Sequence, residues 1–188
     1  MLGDSCISTS IIRKLGKDIN SGELVHIGNL KVRSKSMKVK LEDIIEGMEM
    51  QSEDNKSYLN LKTGEVINVS REALMLAEDE VEYDHLPEWQ QDEVKTAIDI
   101  VESFDNYALL PTSFEINEYD MMESFCFSLS DLNKQEILLN SIRGKGAFRR
   151  FKDNVNRLGL VSQWYDYRDN SIKEIAREFC ESKNIDSI

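Results

Sequence analysis

Arg143-Gly-Lys-Gly-Ala-Phe-Arg-Arg-Phe-Lys-Asp153 is the stretch on which the reading of this chain turns. From its middle onward apolar side chains recur at Phe148, Phe151, Val155 and Leu158, the three-and-four spacing of one face of an amphipathic helix. Gly159 follows the last of them, where a left-handed glycine commonly ends a helix. On such a helix Arg149, Arg150 and Arg157 point away from the apolar face and Lys152 lies at its border. Between positions 143 and 157 there are six bases (Arg143, Lys145, Arg149, Arg150, Lys152, Arg157) against one acid, Asp153. Gly144-Lys-Gly146 lets the backbone turn just before the helix starts. Outward N–H groups at a helix start, with cations close by, attract anions. The competing reading is a C-cap and turn between two helices, with a basic face that neutralises the protein's own acidic neighbours. The Gly-x4-Gly-Lys-Ser/Thr spacing of a P-loop is absent.

Working outward, the preceding segment runs as a helix with Leu132, Leu138, Leu139 and Ile142 inward, Ser130 as its cap and Gly144 at its end. Helix, glycine turn and basic helix together have the length of a helix-turn-helix. Before them, Asn117 is placed to cap a helix with Tyr119, Met122, Phe125, Cys126 and Leu129 on one side. Pro87 suits the first turn of a helix whose inward residues are Val94, Ala97, Ile98, Val101 and Phe104. After the basic segment, the spacing predicts a last helix over 162–182, with Trp164 or Tyr165, Arg168, Ile172, Ile175, Ala176 and Phe179 facing in. Arg168 is out of place on an apolar face, and a carboxylate from another segment is expected beside it.

The strand signals lie in the first half. Residues 58–61 and 65–69 flank Lys62-Thr-Gly64, a hairpin signature. A three-residue loop with Gly64 left-handed puts Leu59, Leu61, Ile67 and Val69 on one face, whereas a two-residue loop splits them. Burial of a single face therefore selects the three-residue loop. Two strands alone are marginal, so a third is expected at 107–110 or helices must cover the pair. Residues 38–50 read as a short helix with Leu41, Ile44, Ile45 and Met48 together, and Ser70 caps another short helix through 77. The acidic run 78–84, where Val81 and Tyr83 alternate with carboxylates, reads as an edge strand or an extended loop.

The separate motifs Gly144-Lys-Gly-Ala-Phe-Arg-Arg-Phe-Lys-Asp153, Trp164-Tyr-Asp-Tyr-Arg-Asp169, Ile175-Ala-Arg-Glu-Phe179, Tyr58-Leu-Asn-Leu-Lys-Thr-Gly-Glu-Val66, Leu86-Pro-Glu-Trp89 and Glu118-Tyr-Asp-Met-Met-Glu123 agree in order with one pattern. Over residues 37–185 the chain resembles the bacterial uncharacterised protein family 0158. That resemblance implies no reaction and brings no catalytic residue with it.

The totals bound the rest. The chain has 188 residues, 40% hydrophobic and 31% charged, with net charge −12, which describes a single globular domain with a real core. Residues 1–36 stand apart with six bases against three acids, leaving −15 for the remainder. They read as a loosely ordered N-terminal extension, with a short strand conceivable at 23–27. Residues 37–188 read as one domain, its hairpin part at 37–84 and its helical part at 85–188. The expected class is α+β, mostly helical, with a small antiparallel hairpin sheet followed by a helical C-terminal half.

No apolar run approaches the roughly 18 residues of a membrane helix, and no signal peptide is expected at the N-terminus. Cys6, Cys126 and Cys180 are odd in number and form no Cys-x-x-Cys pair, which suits free thiols in the cytoplasm. His26 and His85 have no ligand-spaced partner, so no metal and no cofactor is expected. A protein this acidic is not built as a whole for nucleic acid.

The expected function is therefore that of a small acidic cytosolic interaction or adaptor protein, non-enzymatic, with another protein as its partner and no membrane. The alternative is a nucleic acid or phosphate ligand bound through the basic 143–157 segment. A second alternative is a hydrolase using carboxylates or His85. The candidate binding residues are Arg143, Lys145, Arg149, Arg150 and Arg157, with Trp164 as an aromatic neighbour.

Overall fold

A computed structural model of the chain describes residues 37–188. The expectations for residues 1–36 lie outside the described residues. The described part is a mostly helical α+β fold around a small sheet. It opens with strand β1 (Lys38–Val39), which pairs in parallel with the last strand, β5 (Asp186–Ser187), and so ties the beginning of the domain to its end. That pairing is why helix α1 (Leu41–Met50) starts later than the residue spacing predicts, since Lys38 and Val39 are already committed to an extended conformation.

Strands β2 (Asn55–Asn60), β3 (Val66–Ser70) and β4 (Tyr107–Leu109) form an antiparallel sheet with β2 in the centre. The third strand thus comes from the predicted segment. The hairpin register corrects the sequence reading. Tyr58 lies opposite Ile67 and Leu59 opposite Val66, and the Asn60 N–H donates to the Glu65 carbonyl at 2.9 Å. The loop is therefore the four residues 61–64, not three. Asn60 Oδ1 accepts from the N–H groups of Lys62 and Thr63 at 2.9 and 3.2 Å, and Gly64 takes φ +80°. A one-residue slip moves every side chain to the other face. Leu59, Leu61 and Val66 consequently face one core, while Tyr58, Ile67 and Val69 face a second. The premise of a single buried face fails because this sheet is covered on both sides.

The smaller core lies under α2 (Arg71–Glu78) and α3 (Glu88–Glu102), with Val69, Ala73, Val94, Ala97, Ile100 and Tyr107 buried. Ser70 caps α2 as expected, accepting from the Ala73 N–H at 3.2 Å, and its own N–H donates to Glu93 Oε1 at 2.8 Å, which binds α3 to β3. Helix α3 buries Ile100 in place of Val101 and Phe104; the helix ends at Glu102, and Phe104 turns outward. The acidic run 78–84 forms no strand: Glu78 ends α2, and residues 79–84 are turn and loop.

The larger core lies on the opposite face of the sheet, under α1, α5 (Glu118–Ser128), α6 (Leu132–Ser141), α7 (Ala147–Arg157) and α8 (Val161–Ser182), with the short α4 (Ser113–Ile116) leading into α5. Helix α1 approaches the sheet at Gly47, where a Cβ would stand 2.6 Å from both Leu110 Cδ1 and Val66 Cγ1. A larger residue there has no room without displacing the buried Leu110. Asn117 caps α5 as predicted. The cap of α6 is Asp131 instead of Ser130: its carboxylate accepts from Asn133 and Lys134 N–H at 3.0 and 3.1 Å, leaving Leu132 exposed on the first turn.

Candidate functional site

The basic segment is built by a turn between α6 and α7. Gly144 and Gly146 both take left-handed φ values, +72° and +80°, which a side chain would strain. At the end of α6 several carbonyl groups have no partner within the helix. Arg150 supplies one. Its Nε donates to the Ser141 carbonyl at 3.1 Å, Nη1 to Lys145 O at 2.5 Å and Nη2 to Arg143 O at 2.5 Å, with Gly144 O at 3.5 Å. A planar guanidinium reaches several carbonyls at once, and a cation is favoured at a helix C-terminus. Arg150 therefore holds the turn in shape and is not a free cation. Arg150→Ala is expected to cost about 1–2 kcal/mol in denaturant unfolding, and Arg150→Lys to recover only part of it, because an ammonium lacks the fork.

The remaining cations point into open space. Arg143, Lys145, Arg149 and Lys152 are exposed and, among the described residues, their side chains take part in no ion pair or hydrogen bond. Arg157 Nη2 donates to Asn154 Oδ1 at 2.7 Å, one turn back on its own helix. The reading in which this face neutralises acidic neighbours is thus not realised by any close carboxylate. Helix α7 buries Ala147, Phe151 and Val155, while Phe148 is 44% exposed. Phe148 lies one turn from Lys152, so a half-exposed ring borders the cationic face. Helix α7 also begins without a side-chain cap at Gly146.

Trp164 corrects the sequence reading. It is 2% exposed and packs edge-on against Phe151 at 4.8 Å and Phe125 at 5.4 Å between ring centroids. It supports α7 from inside and is not an aromatic neighbour of the surface. Of the two residues considered for the inward position on α8, Tyr165 is the one that faces out. Arg168 finds the inter-segment carboxylates it was expected to need, Glu49 of α1 at 3.3 Å and Glu118 of α5 at 3.7 Å, with Asp169 also at 3.7 Å. With its side chain 27% exposed, the cluster is wet enough to contribute modestly.

Other places where chemistry would gather look different. His85 is exposed in the turn before α3 and has no hydrogen-bond or ion-pair partner among the described residues. Among the described residues, no group of three or more His, Cys, Asp or Glu side chains is placed to hold a metal ion. A groove of about 490 Å³ lies at the start of α2 and is lined by Asp54, Arg71, Glu72, Met75, Leu76 and Asp79. The sequence reading missed it because its walls come from segments 54–55 and 70–79, brought together only by the hairpin. Its carboxylates stand beside no histidine, serine–histidine pair or reactive thiol.

Burial pushes the Cys126 thiol up to about 11 and raises that of Cys180. A buried, neutral thiol is a poor nucleophile. Because the folded-state value lies above the unfolded 9.0, the stability this group contributes is complete below that pH and is lost as pH rises toward 11. The Tyr107 phenol, held by Asp99, shifts in the same direction. Two results are expected: thiol reagents at about pH 8 label the two buried cysteines only on unfolding, and the denaturant midpoint falls between pH 9 and 11.

Fold and surface together define the class: an α+β protein with a two-sided sheet, one exposed cationic helix and no helix among the described residues long and apolar enough to cross a membrane. The chain belongs to the uncharacterised protein family UPF0158, whose family model matches residues 34–188. No curated protein and no solved structure matches it.

Proposed function

We propose that this is an interaction protein whose docking surface is the α6–α7 turn and the outer face of α7, taking an anionic partner through Arg143, Lys145, Arg149 and Lys152. One observation carries the reading. In a chain of net charge −12, four neighbouring exposed cations have no carboxylate within ion-pair distance among the described residues. A chain with 35 acidic residues leaves these four cations to solvent, where a partner's carboxylates can reach them. The rigid support beneath it, Phe151 on Trp164 and Arg150 in the turn, suits a preformed surface. The cytoplasm is the compartment that fits, since the cysteines are odd in number and Cys126 and Cys180 are free.

The test is binding of the full-length chain to an immobilised polyanion such as heparin. Retention at low salt that weakens steeply as salt rises is expected, together with its loss in an Arg149→Glu/Lys152→Glu variant whose circular dichroism and melting are unchanged. Equal retention of the variant, or no retention of the parent at low salt, would overturn the reading. Nucleic acid is the second reading, because α6, the glycine turn and α7 have helix-turn-helix length. Opposing it, the chain outside 143–157 carries −17 once the segment's +5 is set aside, a field that repels a polyphosphate. A hydrolase reading would rest on the carboxylates of the groove beside α2, and no observation favours it over the first.

A further inference from the structure

Resting on that docking surface, we infer that its partner is an acidic peptide segment of another protein that also carries an apolar side chain, seated on Phe148 beside the cations. Three observations converge. Phe148 is 44% exposed in a helix that buries Ala147, Phe151 and Val155, so the cationic face has an apolar border beside Lys152 that a purely electrostatic partner would leave wet. The free cations Arg143, Lys145, Arg149 and Lys152 all lie at the α6–α7 turn and in the first half of α7, because Arg150 is drawn into the turn and Arg157 is tied to Asn154. From Ala147 to Lys152 the helix rises only about 8 Å, which matches a few extended peptide residues.

The far border of the patch separates peptide from polynucleotide. Asp153 stands one turn beyond Arg149 on the exposed side of α7, where a continuing row of phosphates would meet a carboxylate. A duplex or long single strand laid over the patch must also pass over the flanks of a chain that carries −17 outside it. A short acidic segment ends before either penalty applies. It places carboxylates at the four cations and its apolar side chain on the ring, so charge gives the on-rate and the apolar contact gives selectivity.

The test uses the full-length chain and three labelled probes of equal charge, followed by fluorescence anisotropy: a short peptide of Glu and Leu, the same peptide with Leu replaced by Ser, and a single-stranded oligonucleotide. The Glu/Leu peptide is expected to bind most tightly, the Glu/Ser peptide about tenfold more weakly, and Phe148→Ala to abolish the difference between the two. The Leu-to-Ser comparison needs no protein variant, so it stands even if Phe148→Ala folds poorly. An oligonucleotide that binds as tightly as the Glu/Leu peptide overturns the assignment, as does a Leu-to-Ser change without effect. In both cases the cationic docking face still stands if Arg149→Glu/Lys152→Glu abolishes binding. If no probe binds at low salt, the inference and the docking face fall together.

Discussion

Phe151→Ala is expected to lower the unfolding free energy by about 3–5 kcal/mol, the largest effect of any single truncation on α7. Phe151 is completely buried and meets Trp164 at 4.8 Å and 78° and Phe125 at 6.2 Å and 83°, both edge-to-face. Edge-to-face pairs add to the area term, and the cavity left by a ring among two other rings does not collapse easily. The neighbouring Phe148→Ala removes a ring that already stands half in water and is expected to cost about 1 kcal/mol or less. Urea unfolding followed by Trp164 fluorescence in a Trp89→Phe background measures both. A cost for Phe151→Ala no larger than that for Phe148→Ala would mean that α7 does not pack through the face described, and the cationic surface on its other side would lose its support.

The second large effect tests the two-sided sheet. Leu59→Ala, at 0% exposure in the larger core, should cost about 2–5 kcal/mol. Val69→Ala, at 1% exposure in the smaller core, should cost about 1.5–3 kcal/mol. Since the two side chains leave opposite faces of the sheet, the double variant should be additive within about 0.5 kcal/mol. Near-ultraviolet circular dichroism in a Trp89→Phe background gives a second readout. Leu59→Ala shares a core with Trp164 and should alter its band, whereas Val69→Ala should leave that band in place. Strong coupling between the two sites, or a Trp164 response to Val69→Ala, would mean that the two side chains share one core.

These two experiments also mark where the residue pattern was informative and where it was not. The helices at 41–50, 88–102, 118–128 and 161–182 were legible because their inward residues recur at three and four, and Ser70 and Asn117 announced their caps. The third strand was legible as a short apolar run after a helix break. The hairpin register was not, because alternation assigns faces only when one face is dry and the other wet, and here both are covered. Val101 and Phe104 continued the α3 spacing, yet the neighbours of that helix cover a narrower arc than the spacing suggested. Asp131 took the cap from Ser130 because its carboxylate reaches two N–H groups.

For the candidate surface the division is sharper. Sequence alone determined that a basic amphipathic helix follows a glycine turn, since charge, periodicity and backbone freedom are local properties of the chain. Only the tertiary structure decided that Arg150 folds back onto the carbonyls of Ser141 and the following turn, that Trp164 is interior, and that Phe148 is half in solvent. Those outcomes depend on which atoms of distant segments arrive at the same place, and no spacing along one helix carries that information. Whether a charge is spent inside the fold or left free for a partner is settled by its neighbours in space, because an ion pair or a hydrogen bond acts over a few ångströms and is indifferent to separation along the chain.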